Sequence, residues 1–149
     1  MRRRSRVCAI LLALGILSAP LYGQDAGGGT PPGGRERGFR LEQNYPNPFN
    51  PTTRIPFVLE ADVFEGGRPA IVSIRIYNVL QQLVAIPTAL NHPSGTGVPV
   101  LDLVYTEPGR NEAYWDGRDR QGREVASGVY YLQLVVNGES VVRKMIVAK

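Results

Sequence analysis

The sequence predicts an all-β protein, an antiparallel β-sandwich of immunoglobulin-like type with about seven strands. Three observations carry this. From Phe39 onward, apolar residues recur in short runs that alternate side to side, and no stretch has the apolar stripe of an amphipathic helix. Turn formers, chiefly Gly, Pro, Asn and Asp, separate the runs. Seven such runs fit into roughly a hundred residues with short connections, which is the strand count and spacing of a two-sheet sandwich.

Taken in order, Thr53 to Leu59 places Ile55, Phe57 and Leu59 on one face. Ala70 to Asn78 sets Val72, Ile74 and Ile76 against Ser73 and Arg75, the pattern of a strand with one wet face. Gln81 to Ile86 is a shorter run, ended by Pro87. Val98 to Tyr105 follows the turn Ser94-Gly95-Thr96-Gly97, and Asn111 to Trp115 follows Pro108-Gly109. Gly128 to Val136 is rich in Val, Tyr and Leu. Asn137-Gly138 is a strong hairpin signal, because both central residues of a type I′ turn need positive φ. Ser140 to Ala148 is the returning strand. Trp115 ends its run beside a turn and reads as a core aromatic whose indole N–H needs an acceptor.

Before the first run stands Asn44-Tyr45-Pro46-Asn47-Pro48-Phe49-Asn50-Pro51. Proline lacks the N–H that a central strand donates, so Pro46, Pro48 and Pro51 keep this segment out of regular pairing. Each residue ahead of a proline is pushed towards extended backbone. The expectation is an ordered turn outside the ladders, anchored by Tyr45 and Phe49.

Residues 1–23 have the layout of a secretory signal peptide. Arg2, Arg3, Arg4 and Arg6 precede an apolar run from Val7 to Leu17, and small or turn-forming residues follow. Residues 24–38 are Gly, Pro and charge with no large apolar side chain until Phe39, and read as a flexible linker. The domain proper is 39–149. The whole chain has 17 basic and 13 acidic residues, but four of the basic ones lie in the signal peptide, leaving 13 against 13. That balance gives no support to nucleic-acid binding. The single cysteine, Cys8, also lies in the signal peptide, so the exported chain holds together without disulfides.

Signs of chemistry are sparse. His92, the single histidine, sits in a loop with no second histidine to complete a zinc site or a catalytic triad. The run Asp116-Gly117-Arg118-Asp119-Arg120 puts arginines where a calcium loop of the EF-hand kind needs oxygen ligands, so its aspartates read as turn formers. No carboxylate pair and no Gly-rich phosphate loop stands out. The expectation is a binding or structural domain with no cofactor, no metal, no small-molecule substrate and no enzymatic activity.

Four segments, NYPNPFNPTTRIPFVL (44–59), VSIRIYNVLQQLV (72–84), YWDGRDRQGREVASGVYYLQL (114–134) and RKMIVAK (143–149), resemble, in order and spacing, the C-terminal type A sorting domain of the type IX secretion system. The same superfamily includes the immunoglobulin-like domain of flagellar hook-capping proteins. The resemblance covers about residues 39–149. Pro46, Asn47 and Pro48 match the family's early proline motif, Gly128 and Tyr130 its Gly-x-Tyr motif, and Lys144 and Lys149 its closing lysines. Gln81-Gln82 departs from the family's usual Gly-Arg or Gly-Lys turn, and residues 88–106 resemble an insertion.

The resemblance implies an address. A cargo crosses the inner membrane on its signal peptide, and the folded C-terminal domain is recognised by outer-membrane machinery. A surface peptidase then often removes the domain. Cell surface or medium is the implied destination, with the periplasm in transit. Two other readings stand beside it. A stand-alone periplasmic or extracellular adhesion module would keep its C terminus, which the intact mass of the exported product reveals. A hook-capping protein would show no signal processing, so a mature N terminus near Gln24 excludes it.

Overall fold

The computed structural model describes residues 38–149; the predicted signal peptide and nearly all of the linker lie outside them. Among the described residues, nine strands form two antiparallel sheets. The first sheet has the order β1-β2-β7-β5, from Phe39–Leu41, Thr53–Leu59, Gly109–Trp115 and Thr88–Ala89. The second has the order β4-β3-β8-β9, from Leu83–Ala85, Ala70–Tyr77, Gly128–Val136 and Glu139–Val147. β6 (Leu103–Tyr105) pairs with the start of β3, and β4 with its end. The fold class matches the expectation.

The seven predicted runs each contain a strand, and alternation explains why. Ile55, Phe57 and Leu59 of β2 and Val72, Ile74 and Ile76 of β3 point inward from the two sheets and are fully buried, and Leu132, Leu134 and Met145 join β3 on the second sheet's side of the same core. Burying such a side chain stabilises the fold by roughly 1.5–3 kcal/mol each. Asn137 (φ 50°) and Gly138 (φ 86°) make the β8–β9 turn, and Val136↔Glu139 is its first rung.

Differences from the sequence reading have local causes. The run Val98 to Tyr105 yields strand only over Leu103–Tyr105, because Pro99 has no donor and Asp102 takes positive φ (50°). Asp102 turns back to β3. Its N–H donates to Ser73 Oγ at 2.8 Å, and that hydroxyl donates to Asp102 Oδ1 at 3.0 Å. Ser73 is therefore buried, although alternation puts it on the wet face. β1, β5 and the 3-10 segment Ala61–Gly67 do not show in the sequence pattern, being too short or too irregular for periodicity.

The segment 88–106 is ordered around a buried His92. Ser94 N–H donates to His92 Nδ1 at 3.0 Å, which leaves Nε2–H to donate to the Val104 carbonyl at 2.8 Å. The ring stands edge-on to Tyr105, whose phenol burial pushes up to about 12. With both nitrogens held by backbone, His92 works as an anchor of this connection.

The outer face of the first sheet is a closed ion-pair network. Arg40 meets Glu60 and Glu42, Arg110 meets Glu42 and Glu112, and Arg54 meets Glu112 at 3.2 Å. The Tyr45 hydroxyl also donates to Glu112. Tyr45 first, then Arg110 and Arg54, hold the Glu112 carboxyl below its ordinary 4.5, against an opposing effect of partial burial. A depressed carboxylate stabilises the fold above its unfolded pKa, and the contribution is lost as pH falls through the folded value. Glu112→Gln should therefore lower stability by about 0.5–1 kcal/mol near pH 7, with the difference shrinking as pH falls below the ordinary carboxylate range and through the folded value. Urea unfolding across that range checks it; a difference constant with pH would contradict the assignment.

Candidate functional site: the corner where the motifs meet

The structure brings three of the four family-like segments to one corner, and the chain's path after β1 explains how. From β1 the backbone leaves the first sheet and runs along the outer edge of β9. Arg143 Nε donates to the Leu41 carbonyl, and Gln43 Nε2 to the Lys144 carbonyl at 3.4 Å. Asn47 Oδ1 accepts from Ile146 N–H at 2.9 Å. Phe49 N–H donates to the Ile146 carbonyl, and Ala148 N–H to the Phe49 carbonyl, each at 3.0 Å. Phe49 thus forms a parallel bridge to Val147, a short addition to the sheet where the prolines permit no longer one.

The proline-rich turn obtains from side chains what its backbone cannot supply. The Pro46 carbonyl accepts from Asn44 Nδ2 (3.2 Å) and Thr53 Oγ1 (3.1 Å), and Asn44 Nδ2 also reaches Thr53 Oγ1 at 3.0 Å. Asn44 and Thr53 are both buried. The peptide bonds before Pro46, Pro48 and Pro51 are cis. Of the two expected anchors, Phe49 is one, at 1% exposure. Tyr45 is not; it stays 42% exposed, pairs its backbone with Arg54 and spends its hydroxyl on Glu112.

Phe49 packs edge-on against Trp115 (5.3 Å between centroids), and Trp115 against Tyr130 (5.8 Å). The indole N–H of Trp115 finds its acceptor in the Arg118 carbonyl at 2.8 Å. The Tyr130 hydroxyl donates to the Ala126 carbonyl, four residues upstream, at 2.9 Å. This is the geometry of a tyrosine corner, here closing the loop into β8. Burial pushes the Tyr130 phenol above its ordinary value, so it stays a donor at neutral pH. The aspartates of the 116–123 loop cap turns: Asp116 accepts from Arg118 N–H, and Asp119 from Gln121 and Arg123 N–H.

Two glycines at this corner are needed for different reasons. Gly117 (φ +75°) sits so close to the turn that an added Cβ would lie 2.3 Å from the Pro51 carbonyl oxygen. Gly128 (φ +150°) has open space around it, and there only the backbone angle calls for glycine.

The closing lysines part company. Lys149 folds back onto the 124–127 loop, with N–H to Ser127 Oγ at 3.1 Å and Nζ to Glu124 at 3.2 Å. Lys144 stands on the outer face of β9 opposite Tyr131, exposed, with no side-chain partner among the described residues. Pro46, Asn47, Pro48, Gly128, Tyr130 and Lys149 lie at the corner, whereas Lys144 does not. Sequence reasoning missed Asn44, Thr53 and the Phe49–Trp115–Tyr130 stack. The aromatic content of the segments signalled a stack, but its partners are too far apart in sequence for spacing to show.

Among the described residues no group of three or more His, Cys, Asp or Glu could hold a metal ion, and no helix is long and apolar enough to cross a membrane.

No protein-family model matches this sequence, and neither does any curated protein. Among solved structures it is similar to dimeric latent PorU from Porphyromonas gingivalis, at 22% identity and TM-score 0.48, over 74% of this chain and 9% of that one. It is also similar to PorZ, an essential surface component of the type-IX secretion system of the same organism, at 22% identity and TM-score 0.42, over 75% of this chain and 12% of that one. A third similarity is to the Pseudomonas fluorescens alkylpurine DNA glycosylase AlkC bound to DNA, at 15% identity and TM-score 0.47, over 78% of this chain and 32% of that one. The chain therefore spans about a tenth of the length of the first two and a third of the last.

The corner makes a graded mutational expectation. Phe49→Ala opens a cavity beside Trp115 and should cost about 3–5 kcal/mol. Tyr130→Phe removes one hydrogen bond and should cost about 1 kcal/mol. Denaturant unfolding checks both, and equal costs would contradict the packing described.

Proposed function

We propose that residues 39–149 are a C-terminal targeting domain that directs an exported protein through the type IX secretion system to the cell surface or medium. The observation that carries this reading is the convergence of three of the four family-like segments on one corner. The proline turn, the Trp-Asp-Gly loop, the Gly-x-Tyr strand and the final strand are separate in sequence and interlocked in the fold. Their resemblance to the sorting domain thus follows a structural unit.

In this reading the domain acts by being bound, with no chemical step, cofactor or metal of its own. The outer-membrane machinery recognises the folded sandwich, and a surface peptidase acts on it afterwards. Such a signal needs a stable fold with a readable element near its C terminus, and β9 offers one. The Asn47–Phe49 segment covers its outer edge at Ile146 and Ala148. Because backbone groups alternate in direction along an antiparallel strand, Ser140, Val142 and Lys144 turn theirs outward as Ile146 does. Among the described residues these meet only the Gln43 amide, on the Lys144 carbonyl. An edge open over a few residues suits strand addition by a partner.

A reporter placed between the signal peptide and residues 39–149 should leave a type IX-competent cell, and deleting Lys149 should reduce its export. Periplasmic retention of the reporter, unchanged by the deletion, would sink the proposal.

A further inference from the structure

The outer faces of the two sheets are built on different plans. On the first sheet every arginine of the network meets a glutamate, so its charge is satisfied internally. The second sheet is arranged in cross-strand rows. Tyr77, Tyr131 and Lys144 form one; Arg75, Gln133 and Val142 form the next; Ser73, Val135 and Ser140 a third. These rows contain two cations and no carboxylate. Asp102, at the margin, is engaged by Ser73. Neither Arg75 nor Lys144 has a side-chain partner among the described residues.

Apolar surface adjoins these cations. Val79 and Leu80, at the tip of the β3–β4 turn, are 63% and 73% exposed. A groove lined by Tyr77, Val79, Tyr131, Gln133 and Val142 runs between that tip and the β8–β9 hairpin. Both walls are held in place. Asn78 Oδ1 accepts from Leu80 and Gln82 N–H, each at 3.0 Å, and Asn78 Nδ2 donates to Gln82 Oε1 at 2.9 Å. The Tyr77 hydroxyl donates to Gln133 Oε1 at 3.3 Å. A surface ordered before binding loses less entropy on binding. Tyrosine and arginine on such a surface are the residue types that dominate protein-protein contacts.

We infer that this face docks an extended, carboxylate-bearing segment of a partner polypeptide. The charges select that occupant. A second copy of the chain in a two-fold contact would set Arg75 and Lys144 against their own counterparts. Two cations are few for an anionic membrane, where each contributes only about 1 kcal/mol, and few for nucleic acid. Arg75 and Lys144 lie two strands and one row apart, about 12 Å. Carboxylates at positions i and i+4 of an extended segment, on one face and about 13 Å apart, match that span. An apolar residue at i+2 would then face Tyr131 and Val142. The inference rests on the targeting proposal only for the partner's identity, which in that case is the secretion machinery.

The test titrates the full exported chain, isotope-labelled, with a synthetic Glu-x-Leu-x-Glu peptide, a Lys-x-Leu-x-Lys control and anionic phospholipid vesicles. Saturable shifts confined to the amides of Arg75, Tyr77, Tyr131, Gln133, Val142 and Lys144 are expected with the acidic peptide alone. Arg75→Glu and Lys144→Glu should each weaken that binding about fivefold. No response in these rows, an equal response to the basic peptide, or vesicle binding without a peptide response overturns the inference. In the export assay, retention of the Arg75→Glu fusion alone supports it. Equal export of wild type and Arg75→Glu removes this face from the docking step and leaves targeting standing. Retention of both defeats targeting, and the peptide titration then decides the face by itself.

Discussion

The pairing of Phe49 with the end of β9 is the constraint on which the rest of the corner depends. Three hydrogen bonds tie Asn47 and Phe49 to Ile146 and Ala148, and the Phe49 ring enters the core against Trp115. Each bond alone contributes about 1 kcal/mol, and burial of the ring adds roughly 3. Their joint effect is topological. They fasten a segment near the start of the domain to its last strand, 99 residues away, and so close the seam between the two sheets. Arg143 extends the closure by bonding the carbonyl of Leu41 on the opposite sheet.

That closure explains why rigid, donor-poor residues occupy the turn. A regular strand there would pair along all of β9 and cover its whole outer edge. Prolines at 46, 48 and 51 limit the addition to one bridge, with Asn44 and Thr53 satisfying the Pro46 carbonyl from inside. The end of β9 is thereby sealed and its middle left open. Stability and availability for a partner are assigned to different stretches of one strand. The two outer faces show the same division: one is neutralised by its own ion pairs, and the other carries Arg75 and Lys144 without side-chain partners among the described residues.

How much of this the sequence discloses follows from the range of each interaction. Period-two alternation is local, so β2, β3, β4, β6, β7, β8 and β9 are readable, and Asn137-Gly138 announces its hairpin. β1 and β5 are too short for a pattern. Ser73 defeats the alternation rule because Asp102, from a later connection, reaches over it. The burial of Phe49 could be anticipated from an aromatic among prolines, whereas its bridge to β9 could not, since nothing in the local sequence points to Ile146. Tyr45 looked equivalent to Phe49 and is not: its ring lies on the outer face, where Glu112 claims the hydroxyl. The motif lysines likewise look like a pair in sequence and separate in space, one folded onto Glu124 and the other facing solvent.

Amide hydrogen exchange along β9 tests the sealed-and-open edge most directly, because each outward N–H reports its own partner. The Ile146 and Ala148 amides, bonded to Asn47 and Phe49, should be protected to the level of core strand amides such as those of Leu132 and Leu134. Those of Val142 and Lys144, on the same edge, should exchange at least about a hundredfold faster. Comparable exchange at all four positions would contradict the account, since the proline turn would then not seal the strand.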